Sequence, residues 1–302
     1  MGPGGVGSVG EVAIISSILN SETYTIGLII PAIMNRNISL LILILGFGMT
    51  QHAVAQDETR GTVIVTGWSQ FKIVIATDSR SSPLVGIPRD DICKVITLDN
   101  RSVFTAAGSI DYNSFWNGFT EAPKAFAVAK KNLKPGKYLR EAAIQWGKSI
   151  AKGFNEGLAR DRTGTMTTVY DGRILNGIFV GFENGTIAMY QEEIMFDPST
   201  QKAKRIDDEF QAYPTLHWGG MGHSETVNEI LIGQTNLARR EQRQWEKLKL
   251  SIDPRDQDAY WAIQLVKASM IYNPYRNEIG GPINALEITA SGTRWIEKHT
   301  CK

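Results

Sequence analysis

Short runs of apolar and β-branched residues alternate with polar turns along most of the chain after residue 61. Such runs predict β-strands, and two runs separated by a short turn predict a hairpin. The predicted strands are Thr62–Trp68, Lys72–Thr77, Lys94–Leu98, Ser102–Ala106, Thr165–Tyr170, Ile174–Phe182, Thr186–Glu193, Gln211–Trp218, Ile283–Thr289 and Thr293–Glu297. These strands fall into an early, a middle and a late group along the sequence.

Apolar residues follow helical spacing in the segments between these groups. The predicted helices are Trp116–Leu133, Lys137–Ala159, Ser224–Lys249 and Gln257–Tyr272. They come in pairs and do not alternate with single strands, which argues against a parallel doubly wound sheet. We therefore predict an α+β fold, a four-layer αββα sandwich in which helix pairs flank two antiparallel sheets.

The sequence before residue 62 has a different pattern, with a leader in residues 34–55. A basic residue, Arg36, precedes the apolar run Ser39–Gly48, and the small-x-small triplet Ala53–Ala55 follows. This order is typical of a secretory signal peptide, and the apolar run is too short to span a bilayer. An N-terminal anchor or a buried core helix is the alternative interpretation.

The leader divides the sequence into four parts. We interpret Met34 as the true start and residues 1–33 as upstream sequence translated in error. The signal peptide is then followed by a short polar propeptide, residues 56–61, and by one domain, residues 62–302. A protein with such a signal would be secreted or periplasmic.

Composition narrows the function classes. The formal net charge is +1, and polyanion binders usually show a basic excess, so we predict no nucleic-acid partner. Two cysteines, Cys93 and Cys301, are too few for a disulfide framework and lack the spacing of a metal site. We assign Cys93 to the core, and we predict no metal and no cofactor.

Three polar residues are expected to meet at one end of the first strands. Thr62 begins the first strand, Asp78 follows the second and Lys94 begins the third. Taken singly, such a threonine is usually structural and such an acid–lysine pair is an ordinary surface ion pair. Together they suit another chemistry, because a threonine at a chain terminus carries a base in its own α-amine.

The residues around this group resemble the proteasome β-subunit family, whose members are N-terminal-nucleophile hydrolases with the αββα sandwich. The resemblance covers about residues 61–298 and is most specific over 61–109, in the segments Gly61–Val65, Val74–Arg80, Lys94–Ile96 and Ala106–Ser109. It implies cleavage after Gly61, Thr62 as the nucleophile, and Asp78 and Lys94 as residues that tune its amine. It also implies that Gly108 donates its backbone N–H to the oxyanion, with Arg80 and Ser109 in support.

The chain departs from the family pattern in two places. The family's serine in a turn before the third helix falls on Met221 here. The nearby His223 is a candidate to approach the site, although a histidine in a loop is more often incidental. The family's Asp and Ser before a Gly-Gly pair are missing before Gly280, where Asn277 and Glu278 are the candidates to replace them.

The predicted function is a threonine-type peptidase or amidase that matures by self-cleavage at Gly61–Thr62. Its partner is a peptide or amide substrate, and a homo-oligomer is left open. No ATPase partner is assumed, because ATP is not available outside the inner membrane. The alternatives are a small-molecule amidase on the same fold and a catalytically silent structural or binding protein.

Overall fold

The computed structural model describes residues 62–80, 89–108, 125–132, 138–160, 173–210 and 213–300. These residues belong to one unit of the chain, Ala55–Lys302. The predicted leader, the predicted strand Thr165–Tyr170 and two predicted site residues, Gly61 and Ser109, lie outside the described residues.

The first sheet contains five antiparallel strands in the order β10-β9-β2-β1-β8. Its strands are β1 (Val63–Trp68), β2 (Lys72–Thr77), β8 (His217–Gly222), β9 (Asn284–Thr289) and β10 (Gly292–Glu297). β1 lies between β2 and β8, with Ile64 opposite Thr77 on one side and Met221 on the other. Thr62 therefore directly precedes a strand that is hydrogen-bonded to a neighbouring strand on each side.

The second sheet is also antiparallel and has the order β3-β4-β5-β6-β7. Its strands are β3 (Val95–Thr97), β4 (Ser102–Gly108), β5 (Arg173–Glu183), β6 (Thr186–Asp197) and β7 (Lys202–Phe210). The β5–β6 hairpin turns at Asn184, which has a positive φ of 49°, and at Gly185. An Asn-Gly turn of this kind matches the twist of the flanking strands.

Five α-helices are described. They are α1 (Ala125–Asn132), α2 (Leu139–Arg160), α3 (Glu225–Ile232), α4 (Asn236–Leu248) and α5 (Gln257–Tyr272), and a 3₁₀ turn, Lys249–Ser251, follows α4. α1 and α2 pack on the second sheet, while α3 and α5 pack on the first.

Three apolar clusters separate four layers, so the predicted sandwich is confirmed. Alternate residues of β1 point to opposite sides: Val63 and Val65 pack with α3 and α5, whereas Ile64 packs between the two sheets. The cluster between the sheets joins residues of both, including Ile75 and Val180. The third cluster fills the space between the second sheet and α2 around Trp146.

Several element boundaries differ from the sequence prediction. The predicted strand Gln211–Trp218 is wrong, because the strand is β8, which starts at His217 and runs through a glycine-rich stretch. β7 was not predicted, since its sequence is mostly charged. The predicted helix Ser224–Lys249 is two helices, because Gly233 takes a left-handed φ of 79° and Thr235 caps a new helix with its side chain.

Candidate active site

The peptide group that links Thr62 to Val63 is held at both ends. Its N–H, on Val63, donates to Oδ1 of Asp78 at 2.9 Å, and its carbonyl, on Thr62, accepts from the N–H of His223 at 2.8 Å. Asp78 follows β2 and His223 follows β8, the two neighbours of β1. The backbone at Thr62, which is itself buried, is thus fixed from both adjacent strands.

The carboxylate of Asp78 is the centre of the hydrogen-bond network. Besides Val63, it accepts backbone N–H groups from Gly280 at 3.1 Å and Arg80 at 3.3 Å. Nζ of Lys94 donates to the same Oδ1 at 2.9 Å, and both side chains are completely buried. The sequence predicted that Thr62, Asp78 and Lys94 lie at one end of the strands, and the structure brings Asp78 into contact with Lys94 and with the backbone next to Thr62.

Burial controls the protonation of this ion pair. Loss of water lowers the pKa of Lys94, and the negative charge of Asp78 opposes this effect. Burial likewise raises the pKa of Asp78, while Lys94 and the backbone N–H donors oppose the rise. A lysine with a lowered pKa can release and regain a proton nearer neutral pH than a lysine in water can.

Arg80 joins the site to the segment after α5. Its Nε and Nη2 donate to the two oxygens of Asp90 at 2.7 and 2.9 Å, and its Nη1 donates to the carbonyl of Asn277 at 3.2 Å. A Cβ placed on Gly280 would lie 2.7 Å from Cζ of Arg80, so the guanidinium lies directly against this backbone. Arg80 therefore braces the segment that donates the Gly280 N–H to Asp78.

The predicted oxyanion donor, Gly108, ends β4 with a φ of 99°. A side chain there would be strained and would meet the carbonyl oxygen of Ile174 at 2.7 Å. The end of β4 lies close to the Thr62 backbone, because a Cβ on Gly222 would overlap the Thr62 carbonyl oxygen and contact Cβ of Ala107 at 3.3 Å.

The two residues proposed to replace the missing family residues differ from each other. The side chain of Asn277 is exposed, and its carbonyl contributes the bond to Arg80. Oε2 of Glu278 lies 3.1 Å from Nε2 of His223. His223, for which an approach to the site is the less favoured of two interpretations of the sequence, contacts Glu278, and Asp90, which the sequence did not single out, binds Arg80. The signals present in the sequence were the glycine before His223 and the acidic residue near Lys94.

Cys93 is not a core residue. It is half-buried and disulfide-bonded. The sequence contains one other cysteine, Cys301, which lies outside the described residues. The prediction assumed that Cys93 lies on a strand opposite Lys94, but both residues precede β3, and it is Lys94 that is fully buried.

The described residues include no group of three or more His, Cys, Asp or Glu side chains placed to hold a metal ion. No helix in this part of the chain has the length and apolar character to span a membrane.

Comparison with known proteins leaves the family unassigned. The chain matches no protein-family model, and a search of curated proteins finds no match. The resemblance to proteasome β-subunits therefore rests on the residues of this sequence alone.

Proposed function

We propose that this protein is a threonine-type N-terminal-nucleophile hydrolase in which Thr62 becomes the nucleophile after cleavage of the Gly61–Thr62 bond. The observation that carries the proposal is the contact of Asp78 with both the Val63 N–H and the buried Lys94. This contact joins an acid, a lysine and the backbone of a threonine at the end of a sheet. The resemblance to proteasome β-subunits supports the same assignment.

The chemistry follows from the groups in this network. The free α-amine of Thr62 would take the proton of its own hydroxyl, since an unperturbed α-amine has a pKa near ~8. A positive charge on Lys94 favours the neutral, basic form of that amine, and Asp78 keeps Lys94 in place. The Gly108 N–H would stabilise the oxyanion, a contribution worth roughly 3–4 kcal/mol per donor in such sites.

The proposed hydrolysis uses only Thr62, the substrate and water. Oγ1 of Thr62 bonds to the substrate carbonyl carbon, and the hydroxyl proton passes through the α-amine to the departing amine. The ester that remains on Thr62 is then opened by water, which regenerates the hydroxyl. In maturation Oγ1 of Thr62 would bond to the Gly61 carbonyl carbon, the bond from that carbon to the Thr62 nitrogen would break, and this nitrogen would take up a proton as it becomes the free α-amine. Water would then open the resulting ester and release the preceding segment, so maturation and turnover depend on one residue.

The substrates we propose are peptides or other amides, and we propose that the protein acts outside the cytoplasm. The disulfide at Cys93 agrees with export, because disulfides persist in oxidising compartments. Expression from Met34 in a bacterial host, followed by fractionation, tests this part. Full-length protein retained in the cytosol would contradict it.

The decisive experiment compares Thr62→Ala with Thr66→Ala, a buried threonine further along the same strand. In wild type and Thr66→Ala, N-terminal sequencing should find Thr62 first, and a peptide epoxyketone should add to it. Thr62→Ala should keep the preceding segment and neither react nor hydrolyse peptides, whereas Thr62→Ser should keep part of the activity because its hydroxyl and amine remain. Wild-type protein still joined at Gly61–Thr62 and unlabelled would favour the catalytically silent alternative.

A further inference from the structure

The turn after β8 makes a close contact with the backbone of Thr62. Gly222 takes a φ of 74°, which favours glycine, and a Cβ at this position would overlap the Thr62 carbonyl oxygen. The next residue, His223, donates its N–H to that carbonyl. The backbone position of His223 therefore sets the position of one end of the Thr62–Val63 peptide group.

Contacts from neighbouring residues hold both the ring and the backbone of His223. Its ring lies against Tyr275, with ring centroids 4.6 Å apart and planes inclined by 24°, and its Nε2 is 3.1 Å from Oε2 of Glu278. Its carbonyl accepts from Nδ2 of the buried Asn273 at 3.1 Å. His223 is itself buried, so the surrounding residues restrict both its ring and its backbone.

The residues that contact His223 lie in the same segment as Gly280, which donates its N–H to Asp78. Asn273, Tyr275 and Glu278 follow α5 and lead to Gly280, whose N–H binds Asp78. The N–H of Glu278 donates to the Tyr275 carbonyl and the N–H of Arg276 to the Asn273 carbonyl, and these bonds tighten the segment. It therefore supports both partners of the Thr62–Val63 peptide group, His223 at the carbonyl and Asp78 at the N–H.

We propose that His223 and Glu278 form a positioning pair that fixes the orientation of Thr62. The inference rests on the proposed function, in which Thr62 is the nucleophile. Glu278 holds the imidazole, the imidazole holds the turn after β8, and the His223 N–H holds the Thr62 carbonyl. This assigns Glu278 a role through His223, in place of direct contact with the substrate.

The experiment measures covalent labelling of Thr62 by a peptide epoxyketone in four variants: His223→Ala, Glu278→Ala, Glu278→Gln and His217→Ala. Misplacement of a nucleophile by about an ångström can cost ~100-fold, so the two pair-breaking alanine variants should label roughly 10- to 100-fold more slowly. The loss should fall on the maximal labelling rate, with half-saturating concentration nearly unchanged. Glu278→Gln should recover much of the rate, because an amide oxygen still accepts from the imidazole.

His217→Ala is the matched control, because His217 lies at the opposite, exposed end of the same strand. It should label as wild type does. Hydrogen exchange of the His223 amide gives a readout that does not need activity: exchange should accelerate at least tenfold in Glu278→Ala and stay unchanged in His217→Ala.

Each outcome separates the inference from the proposed function. Wild-type labelling rates in His223→Ala and Glu278→Ala would overturn the positioning pair while leaving Thr62 as the nucleophile. A loss confined to half-saturation would also overturn it, since it would indicate a role in binding. If wild type itself does not label, the proposed function fails, and unchanged exchange of the His223 amide in Glu278→Ala would then overturn the pair as well.

Discussion

Two buried carboxylates are each paired with a cation: Asp78, which follows β2 of the first sheet, with Lys94, which precedes β3 of the second, and Glu192 of β6 with Arg205 of β7. The two pairs are built differently. In the first, both Asp78 and Lys94 have fully buried side chains. In the second, Glu192 of β6 is 1% exposed but its partner, Arg205 of β7, has 24% of its side chain exposed. One pair thus keeps both charges from water, whereas the other lets its cation reach the solvent.

The carboxylate of the fully buried pair also accepts hydrogen bonds from more groups than the carboxylate of the other pair does. Asp78 accepts three backbone N–H groups as well as Lys94. In the described part of the chain, Glu192 is bound by Nη1 of Arg205 at 2.9 and 3.1 Å, and Arg205 also contacts Asp207. Burial raises the pKa of Glu192 to about 7, with a further rise from Asp207, while Arg205 lowers it.

The two pairs differ in how well their burial suits a catalytic role. A buried pair is weak evidence for stability, because the cost of removing both charges from water can exceed their attraction. The backbone donors around Asp78 hold that costly arrangement in place, and as a result a cation with a lowered pKa is bound to the carboxylate that accepts the Val63 N–H. Arg205 keeps contact with water, so the Glu192 pair fastens β7 to its sheet without a comparable buried cation.

The largest expected effect comes from Asp78→Ala, compared with Glu192→Ala. Removing Asp78 leaves Lys94 buried without this acid and leaves the N–H groups of Val63 and Gly280 without their acceptor. We expect a loss of roughly 3–5 kcal/mol in the free energy of unfolding, measured by denaturant titration at pH 7. Glu192→Ala should lower the free energy of unfolding by less, because the Arg205 side chain is partly exposed to solvent and keeps its ion pair with Asp207.

The pH dependence of Asp78→Ala provides a check on this explanation. Because burial lowers the pKa of Lys94, folding disfavours its charged form, and the resulting cost disappears as pH rises toward its ordinary pKa. Asp78→Ala should therefore lose less stability at pH 9 than at pH 6. An equal loss at both pH values, or an equal loss in Glu192→Ala, would remove the distinction between the pairs.

A second prediction concerns Glu192→Gln. The pKa of Glu192 is raised from 4.5 to about 7, so the folded state binds its proton more tightly than the unfolded state does. The stability from this group is complete below pH 4.5 and is lost as pH rises to about 7. Relative to wild type, Glu192→Gln should thus become more stable between pH 5 and pH 8, by roughly 3 kcal/mol at most.

Melting curves of both proteins across that pH range give the measurement. Glu209→Gln, an exposed acid of β7, is the matched control and should change stability by about 0.5 kcal/mol or less. Peptide hydrolysis should be unaffected by Glu192→Gln, since the pair lies on the helix-facing side of the second sheet. A constant difference between Glu192→Gln and wild type at all pH values would show that folding does not raise the pKa of Glu192.

The sequence carried enough information for the sandwich but not for two of its edges. Strands rich in β-branched residues, such as β1 and β2, were recognised because that composition suits a pleated, buried surface. β7 is an edge strand in which charged residues discourage pairing with other chains. Because most of its residues are charged, it lacks the alternation of apolar and polar residues by which a strand is recognised. β8 was misplaced because Gly219 and Gly220 read as a turn, although β1 holds them in a strand.

The site was predictable to a similar extent. Asp78 and Lys94 were expected to lie together because they occupy the ends of neighbouring segments, and they are in contact. An approach of His223 to the site was the less favoured interpretation and Asp90 was not identified, because the side-chain contacts that place them, with Glu278 and with Arg80, depend on the fold. A single sequence shows a local motif but not which loop a buried histidine meets.

The smallest expected effect comes from Gly147→Ala, which tests how tightly the second pair is packed. Gly147 lies in α2, and a Cβ there would overlap Oε2 of Glu192 and lie 2.8 Å from Cδ of Arg205. Alanine favours a helix by about 1 kcal/mol over glycine, whereas overpacking typically costs about 1–3 kcal/mol. We expect a net loss of about 1 kcal/mol in the free energy of unfolding, measured by thermal melting.

In a Glu192→Ala background the carboxylate that a Cβ on residue 147 would overlap is absent, so the same change should be neutral or stabilising. If Gly147→Ala costs the same in both backgrounds, the Glu192 carboxylate is not fixed against the helix, and the contrast with the rigidly held Asp78 extends to packing as well as to charge.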